Sequence, residues 1–470
     1  MSDLDPALAR LQESCGVRGR QAVTSAVAQA ASAGIVAFGR GGNAFDAALA
    51  AGFVETIALP MKCGLAGDVV ALFRIRGGPV QALLSIGSGA ASLARGYRLE
   101  KLGPRSVGVP GAPDGYAALH GMARLDLPQL IAPAVAAATA GVRWSANSLG
   151  YLSEARELLG RWSPDCVYLA QTAPQPGAVL ALPGLAALLA DFATTRSELF
   201  FGAPGQRLVA ELAARGGFLD ESDLRIRPAR LCAPTEVTLQ GGRQLFATPA
   251  PTHGQLLTDA IARIERTGED GATVVADLRR VARLAGLDGR DAGTSVVTAA
   301  DDEGNVVVVV HSNSFPRFGS GVVLSNGLVL NNRPGRGFDL QAPAGSVYAP
   351  APGKTPPTTL HAWALKDPQG TTFGATPGGI NQLPWNVQMV SELLRGKTLA
   401  EAVTSPRWAV DDAGAYSAEP GAGIDAAVHA PRPIAAFRLR SVQQLVRIAS
   451  DGGLEAAADP RTGARASALY

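Results

Sequence analysis

The feature that most constrains this chain is residues 288–332, where a segment rich in glycine and aspartate runs into a series of closely spaced β-type runs. Asp288, Gly289, Asp291 and Gly293 make a flexible, exposed stretch. Residues 294–298 are strand-like, residues 301–305 read as a turn, and five consecutive valines at 306–310 read as a buried strand. A glycine-rich corner at Gly319 and Gly321 leads to another apolar strand ending at Asn331. The pattern is a loop feeding a β-meander. Thr294 therefore opens a central strand directly after Gly293.

That placement suggests one chemistry. A threonine hydroxyl is a weak nucleophile until a base takes its proton, and an N-terminal threonine can use its own α-amine for this. With a reference pKa of about 7.7–8.0, the amine suits proton transfer near neutrality. At Thr294 the amine exists only once the Gly293–Thr294 bond is cut. Glycine before the cut permits the strained backbone that self-cleavage requires. The same residues also read simply as the start of a strand.

Bulk properties narrow the classes. At 470 residues the chain can hold two or three ordinary domains or one large α/β unit. A net charge of +2 with 17% charged residues gives no electrostatic footprint for nucleic acid. Cys15, Cys63, Cys166 and Cys232 show neither CxxC pairing nor metal-ligand spacing, and read as reduced, mostly buried thiols. No metal or organic cofactor is implied. The first residues are acidic and lack an apolar core, so no secretory signal is expected. No apolar run reaches 18 residues, so no membrane span is expected, and the chain reads as cytoplasmic.

In chain order, residues 19–59 look like two alanine-rich helices broken at residues 39–42, with Asn43 as N-cap of the second and Asp46 in its first turn. Gly39, Gly41 and Ala44 also match G-x-G-x-x-A, but a dinucleotide site needs a strand before it, and the preceding residues are helical. Residues 63–76 read as a glycine turn and a buried strand. Asp114 could cap a following helix, and Ala/Leu periodicity over residues 127–212 reads as packed amphipathic helices. Residues 174–177 mark a loop. Residues 231–257 read as two strands and a turn into a helix, with His253 either capping that helix or facing a substrate.

TSVVTAADDEGN from Thr294, FGSGVV, LVLNN, PGG at 377–379 and DPR at 459–461 resemble the γ-glutamyltranspeptidase family, and the likeness spans nearly the whole chain. GGNAFDAALAA is similar to that family's GGNAVDAAVAA, and SVGVPG to its V-G-V-P-G. The spacing of ten residues from Thr294 to Gly304 is the family's spacing from nucleophile to turn glycine. The resemblance implies an N-terminal-nucleophile hydrolase: a four-layer αββα sandwich, α/β (α+β) in class, that cuts itself at Gly293–Thr294. Residues 1–293 and 294–470 would then be two interleaved subunits of one structural unit.

By the same resemblance Thr294 is the nucleophile, and Ser312, 18 residues on, orients its amine. Gly378 and Gly379 supply oxyanion-hole N–H groups, and Asn313 and Ser314 are candidates for the substrate amide. Thr358 and Thr359 stand where the family has two serines that help bind a carboxylate. Other positions depart from the family. Ser295 and Val296 replace the second and third residues of its T-T-H triplet, and no basic residue lies between Arg76 and Arg95, where the family has a carboxylate-binding arginine. After LNN, Arg333 replaces a glutamine, and residues 335–337 replace an acidic pair that holds an α-ammonium. Arg333 and Arg336 would favour an anion there, unless both are solvated loop arginines.

These departures point away from a classical γ-glutamyl substrate. The expected activity is hydrolysis or transfer of a non-standard acyl group from a small amide substrate. Some family members hydrolyse oxamate or glutaryl amides, and others cleave a carbon–carbon bond in secondary metabolism. An unprocessed, inactive binding protein is the second class, and a dinucleotide-dependent oxidoreductase the third.

Overall fold

The computed structural model describes residues 6–170, 174–283, 293–411 and 413–470. Two antiparallel sheets of seven strands form its centre. The first runs, in spatial order, Arg465–Leu469, Gln21–Ser25, Gly293–Asp301, Val306–Ser314, Asp68–Arg74, Gln81–Ser85 and Arg230–Cys232. The second runs Gly16–Gly19, Leu454–Ala458, Gln444–Ala449, Gly370–Ala375, Trp363–Asp367, Gln244–Ala247 and Thr235–Thr238. Each sheet mixes strands from before and after residue 293.

The valine run shows why the layers stack as they do. Side chains alternate along a strand, and here both faces are covered. Val306, Val308 and Val310 pack between the sheets with Val296, Ala364, Phe373 and Val446. Val307 and Val309 pack instead against helices, with Val297, Phe53 and Ala48. A strand buried on both faces needs continuous apolar residues rather than alternating ones. On the far side of the second sheet, Leu245, Trp363 and Leu445 pack against the helices Gly254–Thr267 and Gln382–Leu394. The order is helix, sheet, sheet, helix, the expected αββα sandwich.

The Ala44–Ala58 helix is buried along its whole length. Its start is well fixed: Asn43 accepts from Phe45 and Asp46 N–H groups, and Asp46 closes the capping box by accepting from Asn43 N at 2.7 Å. The preceding helix, Ala28–Gly39, joins it through residues 40–43, so the glycine pattern there links two helices and lacks the strand a dinucleotide site requires.

Several local expectations are corrected. Residues 21–25 form a strand rather than the start of a helix, and residues 230–247 hold three strands rather than two. Beyond Gly321 there is no regular strand; Val323 and Val329 make a single bridge. Asp114 lies in the first turn of the Ala112–His120 helix, whose N-cap is Gly111, and accepts from Ala229 N. The Thr294 strand starts one residue earlier, at Gly293, and the valine strand runs on to Ser314. The expected exposed segment before Gly293 lies outside the described residues, and Gly293 itself is buried.

The DPR segment closes the second sheet. Arg461 pairs with Glu419 at 2.6 Å and Asp459 at 3.1 Å, all with side chains essentially buried. All four cysteines are free. Among the described residues no helix is long and apolar enough to cross a membrane.

Candidate active site

Three neighbouring strands of the first sheet bring Thr294, Ser312 and Asp68 into one row. Thr294 pairs in register with Ser312, and Ser312 with Asp68. By alternation all three share the face of Val296, Val310 and Val70, which looks toward the second sheet. Thr294 and Ser312 are each 1% exposed and Asp68 is 0% exposed.

The hydroxyls are wired in a definite direction. Ser312 Oγ lies 2.6 Å from Gly293 O, 2.9 Å from Ser314 N and 3.1 Å from Thr294 Oγ1. A hydroxyl has one proton, and the carbonyl can only accept. Ser312 therefore donates to Gly293 O and accepts from Ser314 N, which leaves Thr294 as donor to Ser312. The carbonyl of the Gly293–Thr294 bond is thus polarised by the same group that receives the threonine proton. A ladder irregularity falls between Gly293 and Thr294, and Ser314 has φ +74°, a conformation disfavoured for a side-chain-bearing residue. Glycine is required at 293. A Cβ there would stand 2.4 Å from Ser314 O and 3.2 Å from Met61 O.

Arg333 closes this group. Its Nε sits 2.6 Å from Asp68 Oδ2, and its Nη2 sits 3.4 Å from Ser312 Oγ. Asp68 also accepts from Gly87 N at 2.7 Å. Arg333 is only 1% exposed, so it is not a solvated loop residue, and its charge is compensated by Asp68 rather than free for an anion. Arg336 is half-buried, its guanidinium 4.6 Å from the Phe315 ring centroid. No acidic residue occurs in residues 333–337.

Asn313 and Ser314 adjoin the row. Asn313 is 0% exposed and commits its amide to Pro60 O at 3.0 Å and its backbone N to Lys62 O at 2.8 Å, tying the strand end to residues 60–62. Its Oδ1 and the Ser314 hydroxyl have no partner among the described residues.

The remaining candidates gather on the second sheet. Gln382 Nε2 donates to Thr359 Oγ1 at 3.2 Å, linking the threonine pair to the helix that follows Gly378 and Gly379. Gly378 (φ +145°) and Gly379 (φ +56°) both need glycine, and a Cβ on Gly378 would meet the Trp385 ring at 2.4 Å. Leu360 and Ala375, next to these two groups, share the inter-sheet core with Val296 and Val310. Among the described residues no hydrogen bond links Thr358, Thr359, Gly378 or Gly379 to Thr294, Ser312 or Asp68. Thr358 joins residues 251–252 through its backbone N to Pro251 O at 2.9 Å.

His253 is at the N-cap position of the Gly254–Thr267 helix but makes no side-chain capping bond. Burial, then the neighbouring His361, pushes its pKa down to about 3, so the ring is neutral at physiological pH. His361 is fully buried and burial lowers it to about 4. Its Nδ1 donates to Thr359 O at 2.8 Å and Nε2 accepts from Asn386 at 2.8 Å.

One buried group escaped sequence reading. On the opposite face of the valine strand from Ser312, His311 Nε2 lies 2.7 Å from Glu55 and Nδ1 lies 2.6 Å from Tyr116 Oη. Glu55 also accepts from Ser25 Oγ and Ala26 N, and its carboxyl is held below the ordinary range against the opposing effect of burial. Cys63, with its thiol pushed up by burial, completes a trio of donor atoms within 4.8 Å of one another. The direct contacts make it a hydrogen-bonded network holding the Ala44–Ala58 helix to the valine strand. Glu55 and His311 are 256 residues apart, so no local spacing could reveal it.

Comparison with known proteins agrees with this arrangement. Acylase ACY 1 proenzyme from Pseudomonas sp. (strain SE83) is 28% identical over 470 residues, covering 83% of this chain and 82% of that protein. Oxamate amidohydrolase proenzyme from Klebsiella pneumoniae is 26% identical over 432 residues, covering 78% and 81%. The crystal structure of cephalosporin acylase from Bacillus halodurans superposes with a TM-score of 0.80 at 23% identity, covering 97% of each chain, which establishes the fold. The family model described as Gamma-glutamyltranspeptidase matches residues 30–285 and 284–469, and the chain is therefore an enzyme of the γ-glutamyltranspeptidase family, an N-terminal-nucleophile-type hydrolase.

Proposed function

We propose that this protein cuts itself between Gly293 and Thr294, and that Thr294 then hydrolyses or transfers an acyl group from a small amide that is not a classical γ-glutamyl compound. The hydrogen-bond triangle of Thr294, Ser312 and Gly293 O carries this reading. In the precursor, Thr294 Oγ attacks the Gly293 carbonyl carbon while Ser312 donates to the oxygen on which negative charge develops; the C–N bond breaks as the threonine proton passes to the nitrogen, and water hydrolyses the Gly293 ester so formed. After the cut, the freed amine serves as base and Ser312 holds the hydroxyl in place. Substrate attack gives an acyl-enzyme, and Gly378 and Gly379 stabilise its tetrahedral precursor. Water or an amine then takes the acyl group. Residues 1–293 and 294–470 are the two resulting subunits.

Charge supports the substrate class. An α-ammonium would meet the neutralised Arg333–Asp68 pair and the Arg336 guanidinium where an acidic pair would be needed, so no counter-charge would offset its burial. Asn313, Ser314, Thr358, Thr359, Arg333 and Arg336 are the proposed substrate-side residues. Arg333 acts by fixing Asp68 and Ser312, and Arg336 supplies the cation. The relatives named as an acylase and an oxamate amidohydrolase are consistent with an acyl group lacking the glutamyl ammonium.

Intact mass of the purified protein beside a Thr294→Ala variant tests the mechanism. Two fragments divided after Gly293, absent from the variant, are expected. A single full-length mass for both would overturn it. Glutathione, oxamate and a glutaryl amide, assayed in parallel on the cut protein, test the substrate class.

A further inference from the structure

A cavity of about 350 Å³ lies on the helical flank of the first sheet, and none of Thr294, Ser312 and Asp68 lines it. The Gln21–Ser25 strand runs antiparallel to the Thr294 strand with Ser25 opposite Val297, and so leaves the sheet at the Thr294 end. Its continuation, residues 26–29, forms one wall. The start of the Ala146–Trp162 helix forms another, and Thr462 and Gly463 from the far end of the chain close the rim.

The charged groups of this cavity favour negative charge. Lys62 and Arg143 line it, and none of its lining residues is acidic. Lys62 is only 5% exposed, and no carboxylate pairs with it among the described residues; its ammonium rests 4.9 Å from the Tyr151 ring centroid. A buried, unpaired ammonium is costly unless a counter-charge arrives. Two helices, Ala28–Gly39 and Ala146–Trp162, of 12 and 17 residues, both begin at the cavity and bring their positive dipole ends; in the second, Ser145 caps the Ser148 N–H at 3.1 Å. The first has no side-chain cap. Trp144 and Thr462 also line the cavity; their Nε1 and Oγ1 atoms are buried behind its surface without a hydrogen-bond partner among the described residues. The wall also carries the neutral polar residues Gln29, Ser145, Asn147 and Ser148, beside apolar groups that include Val27, Leu59 and the Tyr151 ring.

We propose that this cavity binds a small organic anion, an oxyanion head group on an apolar body, with Lys62 as the counter-charge and the two helix starts as donors. The head is a carboxylate or a phosphate, both of which these donors fit. The site is separate from Thr294 and does not require that residue to be the nucleophile.

Isothermal titration with phenylacetate, phenylphosphate and uncharged 2-phenylethanol tests this. At least one of the two anions is expected to bind saturably and the alcohol not to; which anion binds more tightly identifies the head group. Lys62→Met should weaken that binding by about tenfold or more, the cost expected for losing one buried counter-charge. Arg143→Gln changes an exposed side chain and should weaken it by a smaller factor, so it decides the matter if Lys62→Met does not fold. Thr294→Ala should leave the affinity unchanged. Failure of both anions to bind, binding indifferent to Lys62 and Arg143, or binding lost in Thr294→Ala would each overturn the proposal.

Discussion

Replacing Ser312 with alanine is the most informative perturbation of the proposed chemistry. The substitution removes one hydroxyl but breaks contacts to four groups: Gly293 O at 2.6 Å, Ser314 N at 2.9 Å, Thr294 Oγ1 at 3.1 Å and Arg333 Nη2 at 3.4 Å. All lie in a buried row, so each group that finds no new partner costs about 1–3 kcal/mol of stability. The kinetic effect is larger. If Ser312 donates to the oxygen of the bond being cut, its loss removes one oxyanion donor, which slows such steps by about 10²–10³-fold. The assay is a time course of precursor conversion after translation, followed by intact mass. Ser312→Thr restores a hydroxyl and should restore most of the rate, whereas a merely structural role would be no better served by threonine's extra methyl. Conversion of Ser312→Ala at the wild-type rate would refute the reasoning, because the carbonyl would then not depend on the donor that faces it.

Other consequences follow from neighbouring geometry. Gly293→Ala should leave only unprocessed or misfolded chain by intact mass, since its Cβ would stand 2.4 Å from Ser314 O. Gly378→Ala combines φ +145° with a contact to Trp385 at 2.4 Å, and should depress kcat of the acyl reaction while fragments still form, read by activity and mass together. Asp68→Asn should strip Arg333 of its counter-charge and cost about 3–5 kcal/mol in denaturant unfolding, with Asp68→Asn/Arg333→Gln recovering much of the loss. His361 is lowered from 6.5 to about 4, so the unfolded chain binds its proton first. Stability from this group is present above pH 6.5 and is lost as pH falls toward 4, by about 3 kcal/mol at most. Thermal melts across that range should show the slope in wild type and a shallower one in His361→Asn.

The legible parts of this fold were those written in local pattern. Five consecutive valines announced a strand buried on both faces, and Asn43 with Asp46 announced a helix start, because both signals lie within a few residues of the structure they specify. Ser312 came instead from the family resemblance, and its pairing with Thr294 around the turn at residues 301–305 is what the structure adds. Residues 21–25 failed because the alanine-rich run that follows outweighed the β-branched Val23 and Thr24, and the sheet edge offered by residues 297–301 makes them a strand. Arg333 was misjudged for a related reason. A sequence shows its charge but not Asp68, 265 residues earlier, which reaches it only because two strands lie side by side.

That pairing also bears on why the recognition residues changed together. The chain has no basic residue between Arg76 and Arg95 and no acid in residues 333–337. Asp68 accepts from Gly87 N in the first of these segments and from Arg333 in the second. One carboxylate thus ties both altered segments to the row containing Ser312. A buried arginine in that row would be untenable alone, and a buried aspartate likewise, but as a pair each stabilises the other at the edge of the site. Restoring an acid at Gly335 alone would set a third charge beside a satisfied pair, and its Cβ would stand 2.2 Å from Glu100 O, so it would not recreate an ammonium pocket. Gaining a γ-glutamyl substrate should require changing Arg333, Asp68 and Gly335 together. If a lone Gly335→Asp variant hydrolysed glutathione efficiently, the Arg333–Asp68 pair would not be what excludes the ammonium.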